Sequence, residues 1–209
     1  MPAETQRARY VPRPNRGDER RTQLLDALEK LLATRPLAGI GIADITRAAG
    51  VTRSAFYFYF PTKAAAAAAL LGDFREDMQL AGAPWYEGQP GTPLERIQAT
   101  VDASIQLARD HASLMVAMLD AVGTDPEVRE IWESWTMGFI DRITTGIIND
   151  RNEGQVRATS DPRALATVLM GATLYGIERD VRAIVAGQPP SDSLAGALEE
   201  LWHRSLYGP

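Results

Sequence analysis

The stretch GVTRSAFYFYFPTK, residues 50–63, decides the fold. Phe56 to Phe60 form an unbroken aromatic run that Pro61 ends, and they are five of the 15 aromatic residues in the chain. Phe-Tyr-Phe-Tyr-Phe alternates as a half-buried strand would. Its surroundings favour a helix instead. Gly50 suits the left-handed turn that closes a helix over Ile42–Ala49, and Thr52 is a good cap for a new one. The residue before Pro61 avoids the helical region, so the second helix stops there. At 100° per residue Phe56 and Phe60 share one inward face, and no partner strand lies nearby.

Working outward, the chain reads as all-α with about nine helices. Leu24, Leu25, Leu28, Leu31 and Leu32 recur at helical spacing behind Asp18, a candidate cap. Thr62 caps a helix that opens with Lys63 and six alanines and is expected to reach about Leu80, before the Gly/Pro-rich AGAPWYEGQPGTP. Further helices are expected over about 93–109, 112–122, 126–150 and 162–185. Ser191 is the expected cap of the last one, ending near Leu206. Residues 1–16 are rich in Pro and Arg without an apolar period, and read as a disordered basic arm.

The 209 residues include no cysteine and two histidines, which argues against disulfides, thiolate metal sites and most His-based acid–base chemistry. No convergent Ser/His/Asp set, metal-spaced carboxylate pair or phosphate-cradling loop stands out. No enzyme, cofactor or metal is therefore expected. No apolar run is long enough for a membrane span, and the first residues lack the apolar centre of a signal peptide, so a cytoplasmic protein is expected. Net charge is −5 but unevenly spread. Residues 1–63 carry 11 Lys and Arg against 6 Asp and Glu, whereas residues 64–209 carry 11 against 21. A basic end on an acidic body points to an anionic partner held at that end.

Two short helices joined by a Gly-containing turn form a helix-turn-helix, whose second helix enters a DNA major groove. Arg53 and Tyr57 are four apart and share a stripe. Arg reaches guanine edges or phosphate, and a Tyr hydroxyl donates to phosphate. Ser54 lies at the helix N-terminus, where groove contact is closest. Lys63 opens the next helix, where free amides already favour phosphate. Phe58 finds no role in this scheme.

GVTRSAFYFYFPTK resembles the signature of TetR-family transcriptional regulators, in which Gly-Val-Ser/Thr-x-x-x-Phe/Leu-Tyr-x-His/Tyr-Phe is followed by a polar residue and Lys. The resemblance is specific over about residues 20–65, and in helix count and order it covers the whole chain. It implies a DNA-binding domain over 17–63 and a ligand-binding and dimerisation body over 64–209, with homodimers formed through the last two helices. By its pattern Thr52, Tyr57, Tyr59 and Lys63 contact phosphates, while Arg53 and Ser54 approach bases of a double-stranded operator. Gly41 replaces the usual Ser or Thr that opens the propping helix, and Ala64 replaces the usual Glu.

The body holds Trp132, Trp135, Met137 and Phe139 on one helix, with Met115 and Met118 upstream and Trp202 on the last helix. Alone, these residues read as a bundle core. YFYFPTK and the ending LWHRSLYG resemble a branch of the family whose body has an apolar channel lined with aromatics. That resemblance places Ile97, Val101, Trp132, Phe139 and Trp202 around a ligand. It also places Leu174 and Ile177 where the branch anchors its ligands with two Asn. The implied effector is a small, mostly apolar molecule that releases DNA. The competing reading is a DNA-binding activator or architectural protein with a solid core and no effector. For the dimer, Leu165, Val168, Leu169, Ala172, Leu194, Ala197, Leu198 and Leu201 are the candidate interface, beside the small Gly171 and Gly176.

Overall fold

The structure, a computed structural model, describes residues 16–88 and 90–208. The expected arm lies outside them apart from Arg16, which already begins helix α1 (Arg16–Leu32). Asp18 thus falls within α1 and not just before it. A 3₁₀ turn (Leu37–Gly39) leads to α2 (Ile42–Ala49) and α3 (Arg53–Tyr59). Then follow α4 (Lys63–Tyr86), α5 (Pro93–Asp110), α6 (Ala112–Val122), α7 (Pro126–Asn152), α8 (Pro162–Val185) and α9 (Leu194–Tyr207). Among the described residues these nine α-helices and the 3₁₀ turn account for all regular structure, and there is no strand.

The aromatic run is helical up to Tyr59. Thr52 Oγ1 accepts the N–H of Ala55 at 3.2 Å. Phe60 turns extended ahead of Pro61, as the proline ring requires. Gly50 takes φ 66° and donates to Arg47 and Thr46 carbonyls, closing α2 in a conformation that glycine adopts without strain. Phe56 is fully buried, in the same core as Leu24, Leu28 and Ile45. Asp44 Oδ2 accepts the Gly41 N–H at 3.0 Å, so α2 keeps a side-chain cap despite its glycine start.

The small N-terminal unit is bound to the body at several points. α1 packs on α2, α4 and α6. Arg21 pairs with Asp73 of α4 at 2.9 Å, and Glu29 meets His111, at the α5–α6 corner, at 2.6 Å. α4, about 35 Å long at 1.5 Å per residue, runs from the helix-turn-helix into the body.

Two expected boundaries are corrected. α4 does not stop near Leu80 but continues through Pro84 to Tyr86. Pro84 forfeits one helical hydrogen bond, and tertiary burial offsets the loss. Trp85 is buried against Trp202, its N–H is accepted by Thr100 Oγ1, and its indole N–H is accepted by the Tyr207 hydroxyl at 3.0 Å. Gly146 of α7 makes room, since a Cβ there would come within 2.9 Å of the Trp85 ring. At the other end, α9 begins after Ser193, not Ser191. The Ser191 N–H is taken by the buried carboxylate of Asp180 at 2.6 Å, which Arg109 also holds.

Behind Trp85 lies a buried polar knot. Tyr207 donates its hydroxyl to Asp150, and Arg96 reaches both Asp150 (3.3 Å) and Gln155 (3.1 Å). Burial, reinforced by the bond to Asp150, pushes the Tyr207 phenol far above its ordinary range.

Candidate functional site

α3 presents one outward surface. Counting 100° per residue from Arg53, Tyr57 stands at about 40°, Ser54 at about 100° and Phe58 at about 140°. Arg53 and Tyr57 are coupled before any partner arrives. The guanidinium donates to the Tyr57 hydroxyl at 3.2 Å and lies 5.7 Å from its ring centroid. Thr52 uses its oxygen as the helix cap and keeps its O–H as a free donor. Phe58 is 81% exposed on this same surface, with its ring edge-to-face against Tyr59.

Two expected members stand elsewhere. Tyr59 lies on the flank of α3, half-buried between Phe58 and Phe60. Lys63 turns inward: its ammonium donates to the carbonyls of Leu37 at 2.6 Å and Ile40 at 2.8 Å. It clasps the α1–α2 connection to the head of α4, and at most one of its three donors remains for a phosphate. Proximity in sequence to a helix N-terminus suggested the phosphate role. The carbonyls that take the ammonium come from more than 20 residues away.

In the body, all seven expected residues come together. Ile97, Val101, Trp132, Phe139, Leu174, Ile177 and Trp202 line one cavity of about 100 Å³ between α4, α5, α7, α8 and α9. Ile97, Val101, Ile177 and Trp202 are buried, whereas Trp132, Phe139 and Leu174 are only half-buried. The wall is almost wholly apolar, as small-molecule sites tend to be. Thr173 also lines it, but is occupied: its oxygen accepts the Trp202 indole N–H at 2.9 Å and it donates to Leu169. Glu178 takes no part. It pairs with Arg182, which reaches on to Asp120 of α6. Sequence reasoning missed Arg75 of α4 in the wall, because a charged residue among Asp73, Glu76 and Asp77 reads as a solvated face.

α8 and α9 leave an apolar strip uncovered. Val168 is 68% exposed and Tyr175 67%, one above the other with Gly171 and Ala172 between, and Leu201 of α9 is also exposed. Leu169 and Leu198, expected in a dimer interface, are instead buried within the chain, and Leu198 lines the cavity. Both helices carry two apolar faces, and periodicity does not tell the inner from the outer.

Residues 24–70 match the family described as bacterial regulatory proteins of the TetR family, and residues 97–208 match the C-terminal domain of the transcriptional regulator EthR. The chain belongs to the TetR family. The HTH-type transcriptional regulator EthR of Mycobacterium tuberculosis is 32% identical over 206 residues, covering 97% of this chain and 93% of that one. Among solved structures, the SmeT–triclosan complex aligns with a TM-score of 0.71 at 22% identity over 90% of this chain and 91% of that one. NalD of Pseudomonas aeruginosa, a secondary repressor of an efflux pump, aligns at 0.72 with 21% identity, covering 91% and 98%. This TetR-family regulator is thus a DNA-binding transcription factor of the helix-turn-helix kind, with an EthR-like body, and not an enzyme. No helix among its described residues is long and apolar enough to cross a membrane.

Proposed function

We propose that the protein is a cytoplasmic homodimeric repressor whose two α3 helices read successive major-groove segments of an operator, and whose body releases that operator when a mostly apolar molecule enters the cavity. The observation that carries this reading is the cavity. A solid core around Trp132 would have favoured a regulator without an effector, but the seven residues surround open space. The triclosan bound by SmeT, a protein of the same fold, supports it.

On DNA, Arg53 and Ser54 approach base edges, and Thr52 and Tyr57 hold phosphates. Tyr59 serves a phosphate at the flank. Phe58, an exposed ring on the reading surface, suits a thymine methyl. The uncovered Val168–Tyr175 strip and Leu201 suit an isologous four-helix interface, in which small Gly171 and Ala172 let the helices approach closely. Release requires that the effector prefer the dimer whose reading heads are wrongly spaced, and a hundredfold preference, about 2.7 kcal/mol, suffices to weaken binding appreciably.

At about 100 Å³ the cavity is smaller than the roughly 150 Å³ hole that admits benzene in an engineered protein, so the half-buried Trp132 and Phe139 must swing aside for a larger guest. The test pairs two measurements on the full chain. The protein should select a duplex from a random pool in a salt-dependent manner. A set of apolar compounds should raise its melting temperature, and those that do should release the selected duplex. A protein that selects DNA but responds to no compound is a regulator without an effector.

A further inference from the structure

Three guanidinium Nε–H groups are buried without an acceptor among the described residues: Arg75, Arg96 and Arg151. Two of them have their charge answered through Nη2. Arg96 reaches Asp150 and Gln155, and Arg151 reaches the carbonyls of Ala158 and Ser160. Arg75 has neither a hydrogen bond nor an ion pair among the described residues, and it stands in the wall of the apolar cavity. Of the acids beside it on its own helix, Asp73 is committed to Arg21, while Glu76 and Asp77 are exposed.

Charge in an apolar wall is ordinarily paired, because a buried donor without an acceptor is a standing cost. Part of Arg75 is exposed, which places it at the mouth, but its Nε–H is not exposed. Nε–H with an adjacent Nη–H forms the two-pronged edge that matches a carboxylate. Two further polar groups stand close along the helix axes. Gln79 of α4 meets Arg142 of α7 and Trp85 packs on Gly146, so these helices run in the same direction. Thr136 lies six residues before Arg142 and Arg75 four before Gln79, which puts them within about 3 Å in height at 1.5 Å per residue. Ser104 is one turn past Thr100, whose hydroxyl donates to Gly82, and so comes level with Met78, the next turn from Arg75. Thr136 and Ser104 both line the cavity, and their hydroxyls have no partner among the described residues.

We propose that the effector is an apolar monocarboxylic acid, its carboxylate held at the mouth by Arg75 and the neighbouring hydroxyls and its hydrocarbon part seated against Trp132, Phe139 and Trp202. This rests on the cavity being an effector site, and it gives that site a polar anchor. Leu174 and Ile177 supply none.

The experiment uses octanoate and octan-1-ol, which share a chain length and differ in the charged head. Dissociation constants are read from quenching of the tryptophans that line the cavity, in the full-length protein at pH 7. Octanoate should bind at least about tenfold more tightly, the equivalent of one charge-assisted contact. Arg75→Met should abolish that gap by weakening octanoate relative to octan-1-ol, and Arg75→Lys, which keeps charge but not the fork, should restore part of it. Far-UV circular dichroism and the urea midpoint verify that the variants are folded. If the wild type binds both probes equally, or the alcohol better, the acid proposal is wrong while the effector site stands. A gap that survives Arg75→Met likewise removes Arg75 as its cause. If neither probe binds, the effector site falls and the proposal falls with it.

Discussion

Replacing Lys63 by Met removes the ammonium and keeps the length of the side chain. The ammonium donates to two carbonyls, at 2.6 and 2.8 Å, that belong to the connection between α1 and α2. Hydrogen bonds to a charged group contribute about 1.5–3 kcal/mol each. Lys63 is half-buried, so the lower figure applies, and the two bonds share one donor group. A combined loss of about 2–3 kcal/mol follows. With a denaturant slope near 3 kcal/mol/M in urea, the midpoint should fall by about 0.7–1 M. Far-UV circular dichroism is the appropriate readout, since all four tryptophans lie outside the helix-turn-helix. DNA binding separates clasp from phosphate contact. One phosphate contact per subunit would contribute about 1.8 to the slope of log K against log salt in a dimer. The clasp predicts a lowered midpoint and an unchanged salt slope, measured by anisotropy on the selected duplex between 50 and 200 mM KCl. An unchanged midpoint with a slope smaller by about 1.8 would refute it and put Lys63 on a phosphate.

Val168→Asp should convert the proposed dimer to a folded monomer, seen by sedimentation with helicity retained, whereas Leu198→Asp should unfold the chain because Leu198 is buried within it. Phe58→Ala should erase the preference for thymine over deoxyuridine at one position in each half-site of the selected duplex, and equal wild-type affinity for both bases at every position would contradict the thymine contact. Tyr207→Phe strands the Trp85 indole donor and loosens Asp150, at a cost of about 2–4 kcal/mol in urea denaturation. Glu95 caps α5 through the Thr92 N–H, and that bond first, then the Thr92 hydroxyl, holds its carboxyl below the usual range. A lowered folded-state value means the cap's contribution is complete above the ordinary Glu range and is lost as pH falls through the lowered one. An NMR titration of Glu95 at or above the ordinary value would refute this.

Helix number and the reading helix were legible because each rests on local chemistry or helical period, whereas the cavity wall was legible only through the family resemblance, since on their own its residues read as a bundle core. Gly50 and Thr52 bracket α3 by caps that need no tertiary information. Phe56 turned inward because its i+4 partner is Phe60. What stayed hidden depends on distant chain. AGAPWYEG looked like a loop because its Gly and Pro are weak helix formers, yet Trp85 draws the helix onward by packing against α7 and α9. Lys63 stands where either a phosphate or a carbonyl would serve it, and only the fold brings Leu37 and Ile40 within reach. Arg75 carries no sequence mark that separates it from the solvated charges beside it.

The anchoring of Trp85 gives α4 the mechanics of a lever. Its far end is a fulcrum, held by the Tyr207 hydroxyl, the Trp202 ring and the notch at Gly146. Along the shaft the cavity touches Phe74 and Arg75, about 15 Å from the fulcrum, and Met78, about 10 Å from it, and Lys63 lies about 33 Å away, at 1.5 Å per residue. A guest that pushes the shaft by about 1 Å therefore carries the head about 2 Å, on each subunit of a dimer. Because Lys63 is clasped to the α1–α2 connection, that displacement passes to the helix-turn-helix without slack. The gain of the device is set by where along α4 the guest presses. For an equal push, bulk against Met78, about 10 Å from the fulcrum, swings the reading head about 3 Å, while bulk against Phe74 swings it about 2 Å.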